Sequence, residues 1–465
     1  MPKNDRFVGP SLVLFLDFLA ISAGSWLYWI VISKLTSVTE IGLATTVYSL
    51  VVSTTVLTQL GIEYPILKRA KTDGDRTLGT AFLIEIIITI ATLPAVILVT
   101  TNLYGGSAQD LMWISIALLF AMTIEFVFRF ALLGISDSKK ILITDVIGLS
   151  LKFGAGYALV SLGYGAFGIL LAYLLDVIII ASIYVYFMSR MFVIRVGQLD
   201  YIKDFFKDAL VNAPSKYSGQ IIFNLSVVLL AFAGVNSFDV GLFYIALIFS
   251  VVVGGIASSM AFLVIPASYS LKRDLSSESL RISLSLISPL VVALLVSPGL
   301  LLSLIGSEYE LAAPILIVLA IGIVPYAITV NTISKFNNLN KSRYLLLLGI
   351  VQIFVFVIFF VLLVPHYGTM GAAYSILICF SSSSILALVW SKKSSLKQIA
   401  VCCLSIGIGT TVGYAFGTFI SDSVANSSLF ALLLSSGICL AIVFLLKNLS
   451  FAEVRSLLTE PFQKG

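Results

Sequence analysis

The chain has 465 residues, of which 59% are hydrophobic and only 11% charged, and its mean hydropathy is +1.09. Soluble domains carry roughly a quarter charged residues, so this composition excludes a water-soluble protein and indicates a polytopic membrane protein. The net charge of +5 comes largely from bases in short loops between apolar segments. Orientation in a membrane explains these bases, so no nucleic-acid partner is predicted.

Apolar segments follow one another along the whole chain. A bilayer core requires about 20 apolar residues per helix. By this measure the sequence predicts fourteen transmembrane helices, near residues 11–33, 41–62, 78–101, 111–134, 141–161, 167–188, 209–233, 240–265, 280–305, 311–334, 344–364, 369–390, 397–420 and 428–446. The first contains Asp17 and lacks a small-residue cleavage pattern, so we expect a retained helix and not a signal peptide. The predicted class is therefore an all-α polytopic membrane protein.

One stretch of the chain is repeated. Residues 137–168 return without a gap as residues 340–371, and both copies run from a basic loop through one apolar span to Tyr-Gly-x-x-Gly. A second, shorter repeat relates the motif Glu40-Ile-Gly-Leu to Asp239-Val-Gly-Leu. These repeats predict two parallel six-helix lobes, a pattern that recurs in membrane transporters. We place the N-terminal lobe at 1–188 and the C-terminal lobe at 209–391, and two further helices with a tail at 392–465.

The loops predict the orientation of the chain. Alternate connections hold lysines and arginines, whereas the intervening ones hold none, with Lys34 as the exception. Because cytoplasmic loops are enriched in these residues, we expect both termini in the cytoplasm and the protein in the cell membrane. Residues 189–208 link the lobes, and the helical spacing of apolar residues that begins at Leu199 predicts an amphipathic helix on the cytoplasmic surface. A weaker amphipathic pattern occurs at 451–458.

Charged residues within the predicted spans are the candidate site, because such residues are costly in a membrane and usually functional. The second lobe holds only Lys216, whereas the first lobe holds seven: Asp17, Glu85, Glu125, Arg129, Asp145, Lys152 and Asp176. In the 137–168 repeat, Lys152 aligns with Val355 and Asp145 with Leu348. The helix can therefore be built without these charges.

Each charge also has a structural alternative. Glu125 and Arg129 have the spacing of a helical ion pair, and Asp145 and Glu85 lie close enough to the predicted cytoplasmic end to reach water. Lys152 and Lys216 either face a cavity or pair with an acid such as Asp17 or Asp176. The glycines near Lys152 favour close helix packing; they are Gly148, Gly154, Gly156 and Gly163.

Enzymatic and metal chemistry have no signature here. The four cysteines and the single histidine, His366, show no metal-ligand spacing, and the chain has no nucleotide-binding loop and no soluble domain large enough for an ATPase. We therefore predict no metal and no cofactor, and expect any transport to draw on an ion gradient, the membrane potential or the gradient of the substrate.

The complete pattern resembles the polysaccharide-export flippases of the multidrug/oligosaccharidyl-lipid/polysaccharide (MOP) superfamily. The matching elements are Leu35-x-x-x-x-Glu40-x-Gly-Leu, Gln59-Leu-Gly-x-Glu63 and the two Tyr-Gly-x-x-Gly turns. The resemblance implies a V-shaped pair of lobes around a central cavity, alternating access, and export of polyprenyl-phosphate- or diphosphate-linked oligosaccharides. In such relatives cavity cations hold the lipid phosphates, a role that Lys152, Lys216 and Arg129 would fill here.

The acids of the first lobe depart from that expectation. Five acids against two bases suit an anionic substrate poorly, and related multidrug exporters place an acid in the first span, as Asp17 is placed here. Asp17, Asp176, Glu125 and Asp145 are therefore candidates for coupling to a proton or sodium gradient, or for pairing with the bases. Export of small organic cations is the alternative function. A membrane scaffold without transport would leave the deep charges of one lobe unexplained.

Overall fold

The computed structural model describes residues 5–104, 108–135, 137–216, 220–271, 275–339, 341–391, 396–420, 427–446 and 448–449. The regular elements of this part of the chain are all helical. They are α1 Asp5–Ser33, α2 Val38–Thr58, α3 Glu63–Arg69, α4 Gly74–Tyr104, α5 Ala108–Gly134, α6 Ser138–Ser161, α7 Gly165–Ser189, α8 Leu199–Lys216, α9 Gln220–Phe232, α10 Ser237–Leu271, α11 Ser276–Val296, α12 Pro298–Ser303, α13 Ala313–Asn338, α14 Ser342–Trp390, α15 Leu396–Ile420 and α16 Ser427–Leu445, with a 3-10 helix at Ser307–Ala312.

The helices confirm the predicted class. Within the described ranges, eleven helices are long and apolar enough to cross a membrane. One of them, Arg343–Trp390, holds two predicted spans that meet at a kink at Gly368. The predicted first and seventh spans contain the shorter apolar stretches Ala20–Ser33 and Ile221–Phe232. Over the described residues the protein is thus an all-helical, multi-pass membrane protein. Most of its long helices follow the predicted spans, but the start of the predicted seventh span is wrong, because residues 209–216 belong to the amphipathic helix α8.

The repeated Tyr-Gly-x-x-Gly motif has a glycine at positive φ at the same position in both copies. Gly165 and Gly368, which are equivalent in the repeat, have φ angles of +48° and +54°. This left-handed region carries a steric cost for residues with a Cβ, so glycine is the natural residue at both positions. The motif therefore marks the turn between consecutive membrane helices in each copy.

The chain folds into two compact units. The N-terminal unit comprises Val13–Tyr244 with Leu345–Ile350. In its core α5 packs against α4 and α7, α6 packs against α7, and the buried side chains between them are mainly aliphatic and aromatic. The C-terminal unit comprises Ile245–Tyr344 and Val351–Gly465 with the first twelve residues, and its α11 packs against α13, α15 and α16.

The amphipathic helix α8 is docked on the N-terminal unit. Phe205 is fully buried in the same apolar cluster as residues of α3, α4 and α5. Arg69 of α3 forms an ion pair with Asp208, and its guanidinium lies 5.3 Å from the ring centroid of Tyr201. Leu199 stays exposed. The predicted helix therefore exists and its apolar face packs partly on protein, whereas the second amphipathic pattern, 451–458, lies outside the described residues.

Candidate functional site

Arg129 is the centre of a largely buried ion-pair network in the N-terminal unit. Its guanidinium nitrogens lie 3.2 Å from Asp17 on α1, 3.3 Å from Glu125 on α5 and 2.7 Å from Asp145 on α6. Asp17 and Asp145 are only 4% and 1% exposed. A buried carboxylate without a partner is strongly destabilising, so Arg129 supplies the charge that lets acids from three helices share one site.

Asp145 also links this network to a fourth helix. The buried hydroxyl of Tyr184 on α7 donates a hydrogen bond to Oδ1 of Asp145. A hydrogen bond to a charged group is stronger than one between neutral groups. Asp145 is thus held from two sides, by Arg129 and by Tyr184, which fixes the relative positions of α5, α6 and α7 at this level.

Lys152 forms a second buried pair two turns along α6 from Asp145. Its ammonium lies 3.6 Å from Oδ2 of Asp176 on α7 and 3.5 Å from the hydroxyl of Ser25 on α1. The same nitrogen lies 4.7 Å from the ring centroid of Tyr173 and 5.3 Å from that of Tyr28. An ammonium at this distance from an aromatic face is attracted by the ring, so carboxylate, hydroxyl and two rings all stabilise the lysine.

Both pairs border one cavity of about 460 Å³ within the N-terminal unit. Pockets of roughly 300–1,000 Å³ are typical of small-molecule sites. The charged side chains on the wall are Glu125, Arg129, Asp145, Lys152 and Asp176, and the neutral polar ones are Ser25, Tyr48, Thr55, Gln59 and Tyr173. Asp17 contacts Arg129 without lining the cavity itself. A ligand in the cavity would therefore contact two cations, Arg129 and Lys152, each of which is already paired with at least one carboxylate.

Two glycines make room for the partners of Lys152. A Cβ at Gly148 would overlap Oδ1 of Asp176 and lie 2.5 Å from Cδ1 of Ile180, and a Cβ at Gly156 would lie 2.7 Å from the ring of Tyr28. Such distances are shorter than van der Waals contact allows. Gly154 and Gly163 have no atom within 4 Å of the same position. Close packing therefore explains Gly148 and Gly156 but not the other two glycines.

The second repeat is neutral at the equivalent positions. Asp145, Lys152 and Asp176 correspond to Leu348, Val355 and Cys379. In their place the C-terminal unit has neutral hydrogen bonds, such as Gln352 to Ser383 at 3.1 Å and Thr329 to Ser383 at 3.3 Å. The charged cluster is thus an addition to the repeated architecture.

Six of the seven predicted site residues meet around this cavity: Asp17, Glu125, Arg129, Asp145, Lys152 and Asp176. For Lys152, lining a cavity and pairing with an acid occur together, and the acid is Asp176. Lys216 ends α8, and its side chain lies outside the described residues. The expectation that Asp145 and Glu85 reach water is wrong, because Asp145 turns inward to Arg129 and Glu85 is fully buried in α4.

Aromatic and hydroxyl partners were missed by sequence reasoning. Tyr28, Tyr173 and Tyr184 are ordinary residues for a membrane helix, and nothing in their local sequence distinguishes them. A helical-face signal does exist for some of them. Asp17, Ser25 and Tyr28 fall on one face of α1 at helical spacing, and Tyr173 precedes Asp176 by three residues.

Comparison with known proteins identifies the fold. The structure is similar to that of the lipid II flippase MurJ in an inward closed conformation, with a TM-score of 0.70, 15% identity and coverage of 93% of this chain and 98% of that one. It is similar to an inward-facing multidrug resistance MATE family transporter, with a TM-score of 0.60, 18% identity and coverage of 83% and 94%. A MOP superfamily transporter from Pyrococcus furiosus matches with a TM-score of 0.52 and 18% identity, covering 84% and 96%.

Sequence comparisons give no relative of this kind. No protein-family model matches the sequence, and no curated protein matches it significantly. Two of these neighbours are named for different cargoes, lipid II and multiple drugs, yet each of the three matches more than four fifths of this chain. The chain has the fold of the MOP superfamily of transporters.

Proposed function

We propose that this protein is a flippase that moves polyprenyl-phosphate- or diphosphate-linked oligosaccharide from the cytoplasmic to the outer leaflet by alternating access. The observation that carries the proposal is the cavity wall with two cations, the buried Lys152 and the partly buried Arg129. A buried cation is expensive unless it has a partner or a function. Lys152 stands where the second repeat has Val355, so the fold does not require it.

The carboxylates explain how buried cations can serve an anionic substrate. In this state Asp176 forms an ion pair with Lys152. Arg129 forms ion pairs with Asp17, Glu125 and Asp145. A phosphate that enters the cavity competes with these acids for the same cations, since both are oxygen anions that form charge-assisted hydrogen bonds. Exchange of one anion for the other keeps each cation paired throughout the cycle. Lys216 is the third proposed phosphate contact.

The displaced acids give the proposed coupling. When a phosphate takes a cation from its carboxylate, the carboxylate is left buried and is stabilised by a proton or a sodium ion. Asp17, Glu125, Asp145 and Asp176 are the residues that carry this ion. Substrate binding and ion uptake are then linked through the same two bases, which is the relation that a gradient-driven flippase needs.

The proposal also assigns the protein a location in the cell and a substrate partner. The charge of the loops supports a location in the cell membrane with both termini in the cytoplasm. The substrate partner is a lipid-linked sugar, for assembly of a polysaccharide or glycoconjugate. The similarity to a lipid II flippase, which extends over 93% of this chain, supports a lipid-linked substrate.

A second candidate is an ion-coupled exporter of small organic cations. It is favoured by the excess of acids, four against two bases in the described cluster, and by the similarity to a multidrug resistance transporter. In that case the acids bind the substrate and the two bases repel it.

One pair of assays separates the two functions. The purified protein is reconstituted into liposomes and tested for flipping of a labelled polyprenyl-diphosphate oligosaccharide, scored with an impermeant glycosidase, and for efflux of a fluorescent organic cation. We expect flipping and no efflux. Lys152→Ala should reduce flipping and Lys152→Arg should retain more of it than Lys152→Gln, because only arginine keeps the charge. Efflux without flipping would replace the proposal by the second candidate.

A further inference from the structure

The surroundings of the Lys152 ammonium have the composition of a receptor for an ammonium ion. The nitrogen is 4.7 Å and 5.3 Å from the centroids of Tyr173 and Tyr28, 3.6 Å from a carboxylate oxygen of Asp176 and 3.5 Å from the hydroxyl of Ser25. Aromatic faces combined with a carboxylate are the groups that recognise organic ammonium ligands. We call these four residues the ammonium box: Ser25, Tyr28, Tyr173 and Asp176.

The box is a built site and not a chance cluster on a helix. Its side chains come from α1 and α7, and the glycines Gly148 and Gly156 of α6 leave the space into which Asp176 and Tyr28 fit. The ring of Tyr48 lies 4.3 Å from that of Tyr173 and extends the aromatic wall. Within the described residues, the hydroxyl of Tyr28 and Oδ1 of Asp176 are buried without a hydrogen-bond partner, so the box retains polar groups that a ligand can use.

The second copy of the repeat shows that the fold does not require the α7 residues of the box or the two glycines that make room for it. Tyr173 and Asp176 correspond to Ile376 and Cys379 in the second copy. The glycines that make room for the box, Gly148 and Gly156, correspond to the bulky residues Val351 and Phe359. The two α7 residues of the box, the two glycines and the lysine are therefore present in one copy and replaced in the other.

We propose that the ammonium box is a binding site for organic ammonium ions that the chain fills with its own Lys152, and that Lys152 thereby excludes cationic ligands from the cavity. The biological meaning rests on the proposed function, because a transporter of anionic lipids gains selectivity by filling a cation site with a tethered side chain when no substrate is bound. The physical claim does not depend on it. A site of this kind binds a free ammonium once the tethered one is removed.

The test truncates Lys152 and then supplies the removed atoms as a free ligand. Lys152→Ala removes three carbons and the ammonium, which together equal n-propylammonium. Binding of n-propylammonium to the purified variant and to the unchanged protein is measured by calorimetry and by the shift in thermal unfolding. We expect the variant to bind at least about tenfold more tightly than the unchanged protein, a ratio within the range of one desolvated cation–π contact. Propan-1-ol, which has nearly the same size and no charge, should not bind detectably to either.

Two matched variants isolate the role of the box. Lys152→Met fills the space with an uncharged chain of similar length and should not bind n-propylammonium. The double variant Lys152→Ala with Asp176→Asn keeps the space but lacks the carboxylate, and should lose most of the binding. Equal binding to the unchanged protein and to Lys152→Ala, or no binding to Lys152→Ala, overturns the proposal.

Loss of folding is also informative. Lys152→Ala leaves Asp176 buried without its cation, which is destabilising. If the variant unfolds, n-propylammonium supplied throughout purification should restore it, because the ligand replaces the missing charge. A variant that stays unfolded with n-propylammonium while the double variant folds contradicts the proposal.

The flipping assay is scored separately. An unchanged protein that flips no lipid-linked oligosaccharide, together with n-propylammonium binding to Lys152→Ala, removes the proposed function and leaves the ammonium box standing. Flipping without any n-propylammonium binding does the reverse. Under both proposals together, Lys152→Ala should lose flipping and bind organic cations.

Discussion

The carboxylate of Glu40 accepts a hydrogen bond from the backbone N–H of Ala166 at 2.6 Å. This contact joins the start of α2 to the start of α7, where free N–H groups and the helix dipole both favour a negative charge. A Cβ at Gly165 would lie 2.8 Å from Cδ of the same glutamate. Two sequence motifs of the family resemblance, one around Glu40 and one at the Tyr-Gly-x-x-Gly turn, are therefore the two sides of a single contact.

Removal of this contact should destabilise the protein. We expect Glu40→Ala to lower the free energy of unfolding by roughly 1.5–3 kcal/mol, the usual range for a hydrogen bond to a charged group, and Glu40→Gln to lower it less. The matched control is Asp239→Ala at the repeat-equivalent position, where the carboxylate accepts a local bond from Asn236 at 2.8 Å and no long-range bond from another described residue. Thermal unfolding in one detergent measures all three. Equal losses for Glu40→Ala and Asp239→Ala would contradict the assigned role.

Arg129 should be the most sensitive single position of the charged cluster. Arg129→Gln leaves three carboxylates without their shared cation, and breaking a buried pair typically costs about 3–5 kcal/mol. We expect severe loss of stability, and partial recovery when Asp145→Asn is added, because one uncompensated charge is then removed. Folded yield and thermal unfolding are the measurements. Additive effects of the two substitutions would argue against a shared site.

Glycine-to-alanine changes on α6 provide an internal comparison. Gly148→Ala places a methyl group against Asp176 and Ile180, whereas Gly154→Ala meets no atom within 4 Å. In the second variant only the better helix propensity of alanine remains, so stability should be unchanged or rise by up to about 1 kcal/mol. We expect Gly148→Ala to reduce both stability and flipping. The idea that Gly148 makes room for Asp176 fails if the two variants behave alike.

The orientation of the chain can be tested with single cysteines in a background without native ones. Asn236 and Lys139 lie in connections of opposite predicted side, and both are accessible at the ends of their helices. An impermeant thiol reagent applied to intact cells should label Asn236→Cys and leave Lys139→Cys unlabelled until the membrane is opened. The reverse pattern would place the termini outside the cell.

The sequence is informative about spans and turns because both leave local signals. Apolar length predicts most of the long membrane helices, and the paired glycines Gly165 and Gly368 mark turns whose left-handed backbone the structure shows. The spacing of Glu125 and Arg129 likewise predicts contact, and their side chains are 3.3 Å apart. Each of these features depends on residues that are close together in the chain.

Contacts between residues that are far apart in the sequence leave no local sequence signal. In a membrane the lipid-facing side of a helix is as apolar as the side that packs on other helices, so hydrophobic periodicity reveals the span but not the direction in which a residue points. Glu85 illustrates the limit, because its depth in α4 suggested access to water and the structure buries it. The contacts of Asp17 and Asp145 with Arg129 likewise depend on how each helix is rotated about its axis, which the sequence does not reveal.

The neutrality of the second repeat has an electrical consequence. Moving one elementary charge across a membrane potential of 100 mV involves about 2.3 kcal/mol, but a neutral hydrogen-bonded network such as that of Gln352 and Ser383 carries no charge to move. Among the described residues, the charges deep within spans belong to the N-terminal unit. Apart from the charges of the substrate and of any coupled ion, the voltage can therefore act only on protein charges of the N-terminal unit among the described residues, so the share of any voltage dependence that comes from the protein itself should fall when these charges are neutralised.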